Sequence, residues 1–157
     1  MDNQQLVLGI VRFLHQFFTV VWIGGLAFMV LTMVPALKNE LGKTPQTQSL
    51  MNVIIRKHRV WVYISIVGLF ITGMVLGKAN GDFLGFMSFD NLYSSLTTVK
   101  HIIIFAMIII AIFRSTVFGK RDIKMSPKQS KVSMLLLIIN FILGLTVLFL
   151  SSLVVSI

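Results

Sequence analysis

The chain of 157 residues contains no cysteine, and this absence excludes several kinds of chemistry. There can be no disulfide, no thiolate metal ligand, no thiol nucleophile and no covalent haem attached through Cys-x-x-Cys-His. Charged residues are also scarce: they make up 12% of the chain, against about 25% in soluble domains. Hydrophobic residues account for 56% and the mean hydropathy is +0.91. This composition indicates an integral membrane protein with a single domain over residues 1–157.

Acidic residues are the rarest charged type, with five Asp and Glu against fourteen Lys and Arg, which gives a net charge of +9. In a soluble protein this excess would suggest nucleic acid. Here the basic residues cluster in two segments between apolar stretches, which is the pattern of membrane topology. We therefore expect contact with the lipid bilayer and no nucleic-acid partner.

Four apolar stretches are long enough to cross a bilayer, which takes about 20 residues. They cover residues 6–37, 57–77, 93–118 and 131–155. Pro35 predicts that the first helix ends near Leu37, and the third helix is expected to begin near Asp90 with Ser88 as its cap. Short connections make successive helices antiparallel neighbours. The predicted fold is an all-α integral membrane protein, an antiparallel up-down-up-down bundle of four transmembrane helices.

Positive charge is distributed unequally among the three connections. The second connection has Lys78 beside Asp82 and Asp90, whereas the first and third are strongly basic. The positive-inside rule therefore places the first and third connections in the cytoplasm and both termini outside the plasma membrane. The basic residues on the cytoplasmic side are Lys38, Lys43, Arg56, Lys57, Arg59, Lys120, Arg121, Lys124, Lys128 and Lys131.

Three histidines, His15, His58 and His101, lie in three different apolar segments. Ionisable residues inside a membrane segment are costly, so each is a candidate functional residue. His15 lies roughly 13 Å into the first span and His101 roughly 16 Å along the third helix, so the two are expected at one level in the outer half of the membrane. His58 opens the second span from the cytoplasmic side, where we expect a solvated or headgroup-facing side chain.

The outer histidines have cationic neighbours, Arg12 and Lys100, and no carboxylate within the spans. Such a cluster is unfavourable unless an anionic ligand balances it. Non-covalent haem b would do so, because imidazole ligates haem iron and Arg or Lys suits the propionates. Helical spacing also places Trp22 on the His15 face, deep enough to pack against a macrocycle. The predicted cofactor-binding residues are thus His15, His101, Arg12, Lys100 and Trp22, with His15 and His101 as the metal ligands.

Other interpretations of these residues stay open. Copper could be held by His15, His101 and Met29, although it would add positive charge to a cationic cluster. The histidines could instead only pack within a membrane subunit, with Arg12 and Lys100 extending to the headgroups. Asn140, alone in the middle of the fourth span, is expected to form a hydrogen bond between helices.

The segment Leu14 to Phe28, LHQFFTVVWIGGLAF, followed by Pro35, resembles the first helix of the copper-resistance-D-like (CopD-like) integral membrane domains. Those domains carry His, then Trp-x-Gly-Gly, then a proline near the inner end. The His-then-Trp opening is also similar to the four-helix HemJ-type protoporphyrinogen oxidases, and in both families a lysine opens the third helix, as Lys100 does. The oxidase resemblance implies a haem b ligand at His15 and an essential lysine at Lys100.

The favoured function is a b-type haem-binding membrane protein. Two histidine ligands leave no open iron position, which favours electron transfer with a quinone or an external redox partner. The alternatives are a HemJ-like protoporphyrinogen oxidase, with Lys100 near the substrate carboxylates, and a copper transport or resistance protein. Membrane oxidoreductase activity and a homo-oligomeric state are left open.

Overall fold

In the computed structural model, four long helices make up most of residues 2–42, 44–79, 88–118 and 126–156, the residues that the structure describes. They are α1 (Asn3–Leu41), α2 (Pro45–Ala79), α3 (Leu92–Phe118) and α4 (Pro127–Ser156), and each is long and apolar enough to cross a membrane. No strand occurs in this part of the chain. The predicted all-α, multi-pass membrane fold is therefore confirmed. Lys43, Asp82, Lys120, Arg121 and Lys124 of the predicted connections lie outside the described residues.

Local sequence signals set the start of three helices. Asn91 caps α3, because its Oδ1 accepts a hydrogen bond from the Ser94 backbone N–H at 2.6 Å; α3 therefore begins just after the position near Asp90 that the sequence predicted. Ser126 caps α4 in a reciprocal capping box with Gln129, at 2.9 and 3.2 Å. The Thr44 hydroxyl accepts the Thr47 N–H at the start of α2. The predicted cap Ser88 instead bonds Asp90 in the preceding turn.

Helix α1 does not end at Leu37, as Pro35 predicts, but continues to Leu41. Pro35 lies in the first turn of an α-helical segment that begins at Val34, where the missing N–H is tolerated. The residues just before it, Met29–Met33, form a π-helical stretch, and a second one covers Val20–Gly24. The helix then ends at Gly42, whose φ of 63° favours glycine.

Helices α1 and α2 cross in antiparallel directions, as a short connection predicts. His15 meets Thr72, and further along α1 the ring of Phe18 lies against Gly68. Still further, Gly25 lies against the ring of His58. Later residues of α1 thus contact earlier residues of α2. The up-down-up-down order of the remaining helices stays a prediction.

The other helices join through α4, which packs extensively on α3 and also contacts α1. Gly144 allows this approach, because a Cβ there would lie 3.2 Å from Ile23 of α1 and 3.4 Å from Met107 of α3. Among the described residues, the backbones of α2 and α3 approach each other much less. Arg59 of α2 bridges part of that space, with Nη1 3.0 Å from the Ser115 hydroxyl and 3.1 Å from its carbonyl.

Polarity is distributed as in a protein surrounded by lipid. Large apolar side chains are exposed on every helix, including Phe13, Phe70, Phe105 and Phe149, each more than 60% exposed. Small polar residues occupy the interior instead, with Ser65, Ser94 and Asn140 at most 1% exposed. Membrane helices associate through small and hydroxyl-bearing residues because lipid removes the hydrophobic driving force between them. The bundle therefore presents an apolar surface to a bilayer.

The starts of α2 and α4 are also connected. The Gln48 side-chain amide donates to the Ser130 hydroxyl at 3.3 Å, and the Thr47 hydroxyl donates to the Leu41 carbonyl at 3.2 Å. Helix α2 begins at Pro45, twelve residues before the predicted span at 57, so most of the first predicted connection is helical. Lys38 and Arg56 of that segment are therefore carried on helices α1 and α2.

Candidate functional sites: a histidine pair and an arginine-lined cavity

His15 is fixed against α2 by one hydrogen bond. Its Nδ1 lies 2.8 Å from the Thr72 hydroxyl, and that hydroxyl donates its own proton to the Gly68 carbonyl at 2.7 Å. With the hydroxyl proton used in this way, Nδ1 of His15 is assigned as the donor. In the neutral imidazole, the lone pair then lies on Nε2. Gly73 lies beside the ring, where a Cβ would make only an ordinary contact of 3.6 Å with the His15 Cε1.

His101 adopts the same tautomer for a different reason. Its Nδ1 lies 2.7 Å from the Thr97 carbonyl one turn earlier on α3. A carbonyl can only accept, so Nδ1 carries the proton and Nε2 carries the lone pair of the neutral ring. A second hydrogen bond that orients the ring in this way is typical of metal-ligating histidines. Both histidines therefore have the tautomer of a metal ligand that binds through Nε2.

His15, Lys100 and His101, here called the paired-histidine cluster, lie close enough for their charges to interact. The charges of Lys100 and His101 both act on the imidazole of His15. Arg12 lies about one turn before His15 on an exposed part of α1. No group of three or more His, Cys, Asp or Glu side chains converges anywhere in the described ranges. A metal ion in this cluster would therefore need further ligands from another molecule, such as the four nitrogens of a porphyrin.

The structure places Trp22 and Met29 away from the paired-histidine cluster. Both are 2% exposed and both line a cavity at the other end of the bundle, beside His58. Both also lie in the π-helical stretches of α1. π-Helical turns inside α-helices often occur at functional sites, and they change which face a later residue occupies.

The cavity measures about 80 Å³ and is here called the arginine cavity. All four helices contribute to its wall, and it lies at the end of the bundle where α2 begins and α3 ends. Its polar and charged lining residues are Trp22, Asn52, Arg56, His58, Arg59, Tyr63, Arg114, Ser115, Ser133 and Asn140, and its apolar ones are Leu26, Met29, Ile55, Val62, Ala111 and Phe118.

Three arginines line the arginine cavity, and no acidic residue among those described does so. Arg59 is paired with Ser115. In contrast, four buried polar atoms of the lining have no hydrogen-bond partner in the described structure. They are Trp22 Nε1, His58 Nε2, Arg114 Nε and Asn140 Oδ1. Buried polar groups without partners are rare in folded proteins, so four at one cavity call for an explanation.

The arginine cavity differs from what the sequence predicts for its residues. The predicted solvated side chain of His58 instead has a buried Nε2 and packs on Gly25. Asn140, expected to bond between helices, has an unpartnered Oδ1. Arg114 and Asn140 are both polar residues within apolar stretches, and that signal alone marks them as candidates. Their convergence with His58 depends on the packing of α2, α3 and α4, which no single segment of the sequence reveals.

The chain is thus a multi-pass membrane protein whose described residues form four helices able to span a membrane and two separate polar sites. Comparison with models of protein families, with curated proteins and with solved structures gives no significant match.

Proposed function

We propose that the protein is a b-type haem-binding membrane protein in which His15 and His101 would hold the haem iron. One observation carries the proposal: a hydrogen bond at Nδ1 orients each ring, with the Thr72 hydroxyl for His15 and with the Thr97 carbonyl for His101, as is typical of metal-ligating histidines. The two residues also lie within electrostatic reach of each other on different helices. The histidines fit haem by their donor chemistry. A porphyrin supplies four nitrogen ligands to the iron, and two imidazole nitrogens would supply the remaining two.

The charge of the cluster also suits haem. Lys100 is half-buried beside two imidazoles, and the described residues bring no acidic side chain into a group with them. A lysine in such a place is stabilised by an anionic group, and haem carries two propionates. Arg12, exposed one turn away, would reach the same groups from the surface of α1. The chain's own residues therefore supply both the iron ligands and the counter-charges.

Bound in this way, haem supplies one-electron chemistry, and two histidine ligands leave no iron position for oxygen. The protein would then pass electrons to or from a quinone or an external redox partner. The positive-inside rule supports an orientation with both termini outside. In that orientation the paired-histidine cluster lies towards the outer face and the arginine cavity towards the cytoplasm.

An absorption spectrum of the purified full-length protein tests this proposal. We expect a Soret band and a sharp reduced α-band in protein from haem-replete cells. His15→Ala and His101→Ala should each bleach or broaden both bands. His58→Ala is the matched control, because His58 lies in the other site, and it should leave the spectrum unchanged. Colourless protein, or equal loss in all three variants, would contradict the assignment.

A second candidate function rests on the position of Lys100. Its charge acts directly on His15, and a lysine beside a haem-ligating histidine is what the resemblance to HemJ-type protoporphyrinogen oxidases implies. In that case Lys100 would bind a substrate carboxylate. Complementation of a strain that lacks this oxidase distinguishes the two functions. Growth that depends on Lys100, and is lost in Lys100→Met but not in the control Lys78→Met, would favour the oxidase.

A further inference from the structure

The arginine cavity has no role in the function proposed above, yet it concentrates unbalanced positive charge. Arg56, Arg59 and Arg114 line it together with His58, and the described lining contains no Asp or Glu. The charge of Arg114 acts on His58 directly. Positive charges that are partly removed from water repel one another and lose hydration, so such a group is costly without a negative partner. The electrostatics therefore favour an anionic ligand.

The unpartnered atoms define what this ligand must offer. Trp22 Nε1 and Arg114 Nε can only donate, so the ligand must present acceptor oxygens to them. Asn140 Oδ1 can only accept, so the ligand must also carry a hydroxyl or another donor. Trp22 is 2% exposed and Asn140 is 1% exposed, so bulk water does not satisfy these groups. A phosphate group meets both requirements, because it has several acceptor oxygens and a P–OH or a neighbouring alcohol as donor.

Size and surroundings are consistent with a phosphate. The cavity of about 80 Å³ holds a few water molecules or one headgroup, given that a water needs at least about 10–15 Å³ on this scale. It is much too small for a porphyrin. The polar wall of the cavity faces apolar residues such as Leu26, Val62 and Phe118. The looser approach of α2 and α3 also leaves a side of the bundle through which a lipid headgroup could enter.

We propose that the arginine cavity binds a phosphate group, contributed either by an anionic phospholipid or by a free phosphate. Arg114 and Trp22 donate hydrogen bonds to its oxygens, Arg56 and Arg59 balance its charge, and Asn140 accepts from its hydroxyl. Arginine suits this role because its planar guanidinium pairs with two phosphate oxygens at once. The proposal does not depend on haem, since none of these five residues belongs to the paired-histidine cluster.

The test uses the full-length protein with two probes. In maltoside micelles, which contain no phosphate, equilibrium dialysis measures the binding of radiolabelled inorganic phosphate. The second probe is a nanodisc of phosphatidylcholine mixed with phosphatidylglycerol. After the protein is released from the nanodisc, native mass spectrometry measures how many phosphatidylglycerol molecules stay bound to it. Saturable binding in the first experiment identifies free phosphate as the ligand, and selective retention in the second identifies the phospholipid.

Three variants assign the binding to the cavity. Arg114→Gln should weaken binding by about tenfold or more, because it removes a charge-assisted hydrogen bond. Trp22→Phe keeps an aromatic ring but loses the indole N–H, and should weaken binding by several-fold. This variant keeps the proposal testable if Arg114→Gln folds poorly. Lys131→Gln removes an exposed charge near the start of α4 that does not line the cavity, so binding should not change. Failure of both probes to bind, or an equal loss in Lys131→Gln, would overturn the proposal.

Discussion

Replacing Gly25 by alanine tests how His58 is held against α1. A Cβ at Gly25 would overlap the imidazole ring of His58, whereas a Cβ at the adjacent Gly24 would meet only Val20 Cγ1 at 3.8 Å, an ordinary contact. Both variants gain the same helix propensity, about 0.5–1 kcal/mol relative to glycine. The difference between them therefore isolates the clash, and forcing an extra methyl into a packed contact costs about 1–3 kcal/mol.

We expect Gly25→Ala to be less stable than Gly24→Ala by an amount in the lower half of that range, because the His58 ring can partly rotate away. Unfolding in sodium dodecyl sulfate, followed by circular dichroism, measures the difference in the free energy of unfolding. Repeating both substitutions in a His58→Ala background completes a double-mutant cycle. The penalty should disappear there. Equal stability of the two glycine variants, or a penalty that persists without His58, would refute this packing.

Three further substitutions test other contacts. Thr72→Val removes the acceptor for His15 Nδ1, and should lower the unfolding free energy by about 1 kcal/mol and shift the Soret band of haem-loaded protein. Ser115→Ala removes one of the two hydrogen bonds from Arg59 to α3, and should cost about 1 kcal/mol in a detergent unfolding experiment. Asn140→Leu removes a buried unpartnered oxygen, so thermal stability should rise slightly while phosphate binding falls.

Matched controls separate these effects from general damage. Thr146→Val on α4 and Thr116→Val on α3 remove exposed hydroxyls that bond only carbonyls of their own helices. Both should leave stability, spectrum and binding nearly unchanged. Comparable losses in these controls and in the test variants would contradict the specific contacts assigned to Thr72 and Ser115. A fall in thermal stability for Asn140→Leu would show that Asn140 already has a structural partner.

The sequence predicts the fold well because its main signal is local. Apolar runs longer than a bilayer is thick define the four helices without any knowledge of their packing. The caps are local as well, whereas Pro35 misleads because it lies in the first turn of an α-helical segment, where proline is tolerated. The tautomers of His15 and His101 are not predictable from the sequence, since the first depends on Thr72, which is 57 residues away.

The position of Trp22 shows that sharing a helix face does not place two side chains at the same depth. The prediction that it shares a face with His15 assumes about 100° of rotation per residue throughout α1. Trp22 lies seven residues after His15, about 10 Å further along α1 at 1.5 Å per residue, and within the π-helical stretch Val20–Gly24. Trp22 consequently lines the arginine cavity with His58. No residue pattern in the segment predicts the π-helical stretch.

The early start of α2 changes how the protein would meet a charged bilayer surface. Its 35 residues span about 52 Å at 1.5 Å per residue, against about 30 Å of hydrocarbon, so the helix extends well beyond the apolar layer. Hydrogen bonds from Thr47 and Gln48 tie this extension to α1 and α4. Ordering a flexible loop costs about 1–2 kcal/mol of backbone entropy per residue. Because this backbone is already ordered on folding, attraction between Lys57 and lipid phosphates costs no further backbone entropy.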